Sequence, residues 1–326
     1  QLKKNDPIVF ISLPNIHKPK HNCCILASMS LRYIKHIDID KQRWDKTIAD
    51  SNNPRIYAES WYLDVTTNNC WDAVILNDYE AVMPLPYNRK LFGVHQIYRP
   101  FFTQQLGVFS TDSTIDISAF IQTIPKKFLR LQYPFHSKND VEGATKRTNL
   151  VLPLSLPYSQ LQANFSASLR KRIRRSNTLQ LEETADISAV IQFYKDQLEH
   201  KVKLGDVGYR IAQKLFSEAY RHKSAKIYRL LDDGEVLAMG VFLVKYNRVI
   251  NVFGASANSK THPNTMSALL SKVMEKYAES NNTFDFEGSD LPGIKDYFLS
   301  FGSKEENYST FHYNRLPVWL KWFRPD

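Results

Sequence analysis

The stretch that decides the fold reads Lys226-Ile-Tyr-Arg-Leu-Leu-Asp-Asp-Gly-Glu-Val-Leu-Ala-Met-Gly-Val-Phe-Leu-Val244. Two apolar runs flank Asp232, Asp233 and Gly234, the residue types that accept the positive φ of a tight hairpin turn. Residues 226–231 and 236–244 are therefore expected to pair as antiparallel strands, with 248–253 as a third. Downstream, the pattern predicts a helix over 265–280, a short strand over 283–286, a helix opened by Pro292 and stopped near Gly302, and a closing strand over 308–313. Upstream lie three apolar stripes at helical spacing: Phe165, Leu169 and Ile173; Ile187, Val190, Ile191, Tyr194 and Leu198; and Ile211, Leu215, Ala219 and Tyr220.

The first half carries a second hairpin of the same design. Residues 71–76 and 81–87 flank Asn77-Asp78, and the segment from Ala73 can be laid on the segment from Ile227: strand, acidic turn, longer strand. Around it the pattern predicts a strand over 33–38, a helix capped by Asp40 with Trp44 and Ile48 on its apolar face, a strand over 91–98, a helix over 115–124 and a strand over 127–132. A Pro- and Ser-bearing stretch, Pro153-Leu-Ser-Leu-Pro157, follows the expected boundary. The division is a loosely packed arm over 1–30, with Pro7, Pro14 and Pro19 and no helical period, then one domain over 31–148 and another over 149–326. The class is α/β, with mixed sheets of the α+β kind.

Composition narrows the function classes. With 43% hydrophobic residues the chain can bury real cores, so wholesale disorder is excluded. No apolar run is long enough for a transmembrane helix, and the opening residues do not read as a signal peptide. The three cysteines are Cys23, Cys24 and Cys70, an odd number with two adjacent, which suits a reducing, cytoplasmic setting rather than a disulfide framework. The formal charge of +10 favours polyanionic partners: nucleic acid, a nucleotide cofactor or an anionic lipid headgroup. The nine histidines show no metal-ligand spacing, and neither a phosphate-binding Walker lysine motif nor a G-x-S-x-G elbow occurs, so no metal site is expected.

Four segments resemble a known family in their order along the chain: Ser168-Leu-Arg-Lys-Arg-Ile-Arg-Arg-Ser176, Asn251-Val-Phe-Gly-Ala-Ser256, Phe284-Asp-Phe-Glu-Gly-Ser289 and Pro292-Gly-Ile-Lys-Asp-Tyr-Phe-Leu-Ser-Phe-Gly302. With Trp71-Asp-Ala-Val74 and Tyr98-Arg-Pro-Phe-Phe-Thr-Gln-Gln-Leu-Gly107, they are similar to the FemABX peptidoglycan aminoacyltransferases and the related GNAT N-acyltransferases over residues 31–315. The resemblance implies two tandem GNAT-like domains. It also implies an N-acyltransferase that moves an acyl or aminoacyl group from an activated donor to an amine, with acyl-CoA or aminoacyl-tRNA as co-substrate and no tightly bound cofactor. Two alternatives stand beside it: a FemABX-like, tRNA-dependent transferase of cell-wall precursors, and a non-catalytic polyanion binder on a decayed GNAT fold.

The resemblance also places a site. A GNAT donor lies in a splay between central strands with its pyrophosphate at the start of the next helix, here Lys260, Asn264, Thr265, Met266 and Ser267, with Asn264 as N-cap and the amides after it as donors. The family's Gly-rich cradle is absent, since no glycine follows Gly254 before that helix. Asp285 and Glu287 alternate along a strand, so both are expected on one face, and Glu287 is the expected base because Gly288 after it opens room for a ligand. Tyr297 and Lys295 are expected in the same cleft as acid and anion contact. Arg99, Gln104 and Gln105 are expected on the acceptor side, and Arg172 and Arg175 on the basic helix as phosphate contacts for a nucleotide, tRNA or lipid.

Overall fold

A computed structural model describes residues 30–89, 93–202, 204–257, 264–288 and 290–317. The first half contributes β1 (Leu31–Ile34), α1 (Lys41–Asp50), α2 (Ser60–Thr67), β2 (Trp71–Leu76), β3 (Ala81–Arg89), β4 (His95–Ile97), β5 (Phe109–Ser110), α3 (Ile117–Thr123), β6 (Phe128–Phe135) and β7 (Thr145–Arg147). The second contributes β8 (Leu150–Pro153), α4 (Tyr158–Ala163), α5 (Ala167–Arg174), β9 (Gln180–Thr184), α6 (Ile187–Leu198), α7 (Gly205–Arg221), β10 (Ala225–Asp232), β11 (Glu235–Lys245) and β12 (Arg248–Ser256). It continues through α8 (Thr265–Lys276), β13 (Thr283–Asp285), α9 (Pro292–Leu299), β14 (Lys304–Glu305) and β15 (Tyr308–Asn314).

The two hairpins form as their turn residues dictate. Leu76 faces Ala81 around a turn in which Asn77 and Tyr79 take positive φ, and Asp232 faces Glu235 around Asp233 and Gly234, both at positive φ. They belong to separate sheets. One runs β1-β2-β3-β4-β6-β15-β7, with β5 added on β3; the other, read from its far edge, runs β9-β10-β11-β12-β13-β8-β14. The patterns superimpose strand for strand, each with one parallel pair at its centre, β4 with β6 and β12 with β13.

The superposition exposes an exchange that sequence order conceals. The closing strand β15 does not complete the second sheet. It pairs antiparallel with β6 and β7 in the first. The matching interior position of the second sheet is filled by β8, which follows the first half directly and pairs with β13 and β14. The expected boundary thus abuts an interior strand that the pattern did not mark, with Leu150, Val151 and Leu152 buried.

The halves also share apolar packing. Trp61 of α2 stacks on His222 after α7 at 4.5 Å between ring centres, and Phe102 packs edge-on against Phe216 and Phe253 at 5.6 and 6.1 Å. One continuous core runs from Trp44 and Trp71 through to Tyr194, Phe216 and Phe253. A second core lies on the other face of the second sheet, beneath α5, α8 and α9.

Candidate active site

Strands β12 and β13 pair over three registers only, Arg248 with Thr283, Val249 with Phe284 and Ile250 with Asp285. β13 then ends, while β12 continues to Ser256. The strands part, and the opening is a cavity of about 440 Å³ floored by Asn251 and Phe253, with Tyr194, Met266, Ile294 and Tyr297 around it. A second cavity of about 550 Å³ lies where the halves meet, lined by Asn88, Tyr98, Arg99, Gln104, Glu287 and Tyr308. Phe102 borders both. It holds a left-handed φ of 57°, uncommon for a bulky residue, and the Tyr62 hydroxyl donates to its carbonyl.

Glu287 sits just past the end of β13 at φ 48°, and its amide donates to the Asp285 carboxylate at 3.0 Å. Asp285 and Glu287 therefore do not share a face, contrary to the alternation expected of them. Asp285 turns into a buried ion network, while Glu287 faces the second cavity and accepts from the Tyr57 hydroxyl. The network is Arg248 to Asp285 at 2.8 Å, Arg248 to both Glu306 oxygens at 2.6 and 2.7 Å, and Arg55 to Glu306 at 3.2 Å. Two guanidiniums already balance two carboxylates there, so Glu287 is the carboxyl without a counter-charge inside the network. Burial pushes it up to about 8, with the Asp285 charge adding to the rise and the Tyr57 hydrogen bond and Arg99 pulling the other way. Arg55, almost wholly buried beside Arg248, is lowered to about 10.

Gly288 is explained by packing. A side chain there would meet the Leu150 amide nitrogen at 2.8 Å, and the Gly288 amide donates to Asn149 Oδ1 at 3.0 Å. The glycine admits the backbone of the exchanged strand, rather than opening room for a ligand. Gln104 donates to the same Asn149 oxygen at 3.2 Å, and Gln105 donates to Gln104 at 2.7 Å. Gln105 is fully buried and positions Gln104; Arg99 is exposed at the cavity wall.

Other expected residues lie elsewhere. Lys295 pairs with Glu305 at 2.6 Å, and Tyr297 bonds Ser267 Oγ at 3.0 Å on the wall of the first cavity, so neither shares the Glu287 cavity. Burial pushes Tyr297 up to about 12, against the Ser267 hydrogen bond and the Arg172 charge. Lys260 lies outside the described residues. Asn264 occupies the N-cap position of α8 in a left-handed conformation, but its side chain caps nothing, and its carbonyl takes the Ser267 amide at 2.9 Å. The Thr265 hydroxyl turns inward to the Leu237 carbonyl at 3.2 Å. Only the backbone amides of Thr265 and Met266 remain as first-turn donors. The charge of Arg172 on α5 acts on Tyr297, and the Arg172 Nε is buried with no partner among the described residues; Arg175, at the C-cap of α5, is exposed.

Tyr57, Arg55, Asn149 and Arg248 have no counterpart among the expected site residues. Tyr57 and Arg55 follow Asn52-Asn53-Pro54 in a stretch without helical or strand period, so no pattern marks them.

A parallel strand pair at the centre of each of two like-ordered sheets, opening in the second sheet into a cavity above a helix start, is the GNAT-like fold. Residues 163–298 match the acetyltransferase (GNAT) domain family. The whole arrangement is similar to the crystal structure of FemX (TM-score 0.61, 11% identity, covering 88% of this chain and 99% of that one). It is also similar to the C-terminal domain (DUF2156) of a protein described as a lysylphosphatidylglycerol synthetase from Agrobacterium fabrum (TM-score 0.53, 12% identity, 86% and 92% covered). A tandem GNAT protein from the clavulanic acid biosynthesis pathway aligns at TM-score 0.50 and 12% identity, over 89% and 99% of the two chains. No curated protein matches the sequence. Residues 163–298 thus carry an acetyltransferase (GNAT) domain, and the fold of the chain is that of two GNAT-like domains. Among the described residues no helix is long and apolar enough to cross a membrane.

Proposed function

We propose that the chain transfers an acyl group from an activated donor in the β12–β13 cavity to an amine held in the Glu287 cavity. The observation that carries this reading is the meeting of two chemically different cavities at Phe102, with a carboxyl poised near 8 on the polar side. Acyl transfer to an amine requires the amine to lose a proton before it attacks, and a base of that strength is matched to an ammonium near neutral pH. Glu287, directly or through one water, takes the proton; Tyr57 fixes the carboxylate by donating to it; Arg99 and Gln104 orient the acceptor.

The donor side fits a phosphate-bearing group. The start of α8 lacks a side-chain cap, and Arg172, whose Nε is buried and unpartnered among the described residues, acts electrostatically on Tyr297, which bonds Ser267 of α8. Coenzyme A would supply the activated acyl group as a thioester, its phosphates held by Arg172 and the first amides of α8. A second reading, charged tRNA as donor, is favoured by the exposed Lys171, Arg174 and Arg175 on α5. The same proposal includes domains over 31–148 and 149–326, the latter lending β15 to the first sheet, and a cytoplasmic setting resting on cysteine usage; the arm expected over 1–30 lies, up to residue 29, outside the described residues.

Mass spectrometry of ligands retained by the purified protein tests the donor: a coenzyme A thioester supports the first reading, co-purifying tRNA the second. Salt titration separates them further, because tRNA binding falls steeply with salt and Arg172→Glu with Arg175→Glu abolishes it.

A further inference from the structure

We infer that the transferred group is an apolar acyl chain well beyond acetyl, seated in the β12–β13 cavity; the inference rests on the donor reading of that cavity. Tyr194 stacks on Phe253 at 4.0 Å along one wall, and Met266 and Leu270 of α8 form another. The apolar character continues to exposed lining residues: Val202 and Ile294, 44% and 41% exposed, both border the cavity. Apolar side chains left in water at an apolar opening are what a chain-shaped ligand covers when it binds.

One polar group interrupts the lining. Asn251 Oδ1 is buried with no partner among the described residues, at the register where β12 leaves β13. An unpaired buried acceptor costs free energy that a ligand N–H recovers. The ligand is therefore a long apolar body with an N–H beside it, which describes either an apolar acyl chain whose thioester arm brings an amide to Asn251 or an apolar aminoacyl donor with its amino group there. An acetyl group leaves most of the apolar lining uncovered.

The probes are octanoyl-CoA, acetyl-CoA, leucyl and glycyl methyl esters, and sodium octanoate alone, with binding read by titration calorimetry and by the ¹³C-methyl resonance of Met266. Each buried methylene contributes about four-fold in affinity, so octanoyl-CoA, six methylenes longer than acetyl-CoA, should bind on the order of 1,000-fold tighter. Val202→Asp with Ile294→Asp should collapse that ratio to below about three-fold without lowering the melting temperature, since both residues are solvent-exposed. A leucyl preference over glycyl with no coenzyme A ester bound assigns the chain to an aminoacyl donor. A Met266 shift with octanoate and none with either coenzyme A ester keeps the apolar site and discards the coenzyme A reading. Equal affinity for octanoyl- and acetyl-CoA, a ratio that survives the double variant, or no Met266 response to any probe overturns the inference.

Discussion

The two sheets share one strand order but treat their central opening in opposite ways. In the second, β12 and β13 part after Ile250 and the space between them stays open. In the first, β4 stops at Ile97, and the chain returns to fill the space itself. Leu106, fully buried, bridges Phe135 in parallel, its amide donating to Pro134 at 2.9 Å and its carbonyl accepting from His136 at 2.8 Å. The helices that follow differ in step. Asp116 caps α3 by accepting from the Ser118 and Ala119 amides at 2.9 and 3.3 Å, while α8 has no side-chain cap. A carboxylate at a helix start repels a phosphate; a bare start attracts one. The first copy has closed the opening that corresponds to the proposed donor site, and the segment that closes it, residues 98–106, lines the proposed acceptor cavity.

That asymmetry can be broken by mutation. The largest effect is expected at Glu287. Glu287→Gln should lower turnover about 100- to 10,000-fold in a steady-state assay, while wild-type turnover rises with pH and levels near 8 as the carboxylate forms. Near wild-type turnover in the variant would make Glu287 structural and leave the chemistry to substrate positioning. The same residue has a stability signature of opposite sign. Its folded value near 8 lies above the ordinary 4.5, so its stabilising contribution is complete below about 4.5 and lost as pH rises through 8. Thermal melting of Glu287→Gln relative to wild type should therefore gain between pH 5 and pH 9.

Next in size is the network beneath the site. Arg248→Met leaves Asp285 and Glu306 buried beside Arg55 alone and should cost about 3–5 kcal/mol in denaturant unfolding. Arg172→Ala should raise the donor KM about 10- to 100-fold with little change in kcat, the size of a lost charge-assisted hydrogen bond. The smallest effect sharpens the comparison from the closed side. Asp116→Ala should cost about 1 kcal/mol of stability and leave donor binding untouched. Weakened donor binding in that variant would mean the first copy still holds donor.

Local chemistry made much of this legible in sequence. The hairpins follow from Asn77 and from Asp233-Gly234, α9 from Pro292, and the position of Glu287 from a strand running into Gly288. What stayed hidden is set at long range. Leu150–Pro153 carries no alternation because both of its faces are covered, and nothing in Tyr308–Asn314 announces a partner strand in the other half. The misreading of Asp285 and Glu287 as neighbours on one face came from extending β13 by two residues, where Glu287 leaves the extended conformation. Tyr57 gave no signal because a buried tyrosine looks the same in sequence whether it packs or orients a carboxylate.

The exchanged strands set a schedule for synthesis. When Arg147 leaves the ribosome, β6 and β7 flank an interior vacancy whose occupant, β15, is roughly 160 residues away, or about 8–30 s of elongation. Through that interval two unpaired strand edges stand next to each other in a nascent chain, the geometry most prone to join a neighbouring chain instead. A stop codon anywhere ahead of Tyr308 would thus yield a first sheet with a permanent gap and an adhesive edge, and the N-terminal half stays incomplete until β15 has been made.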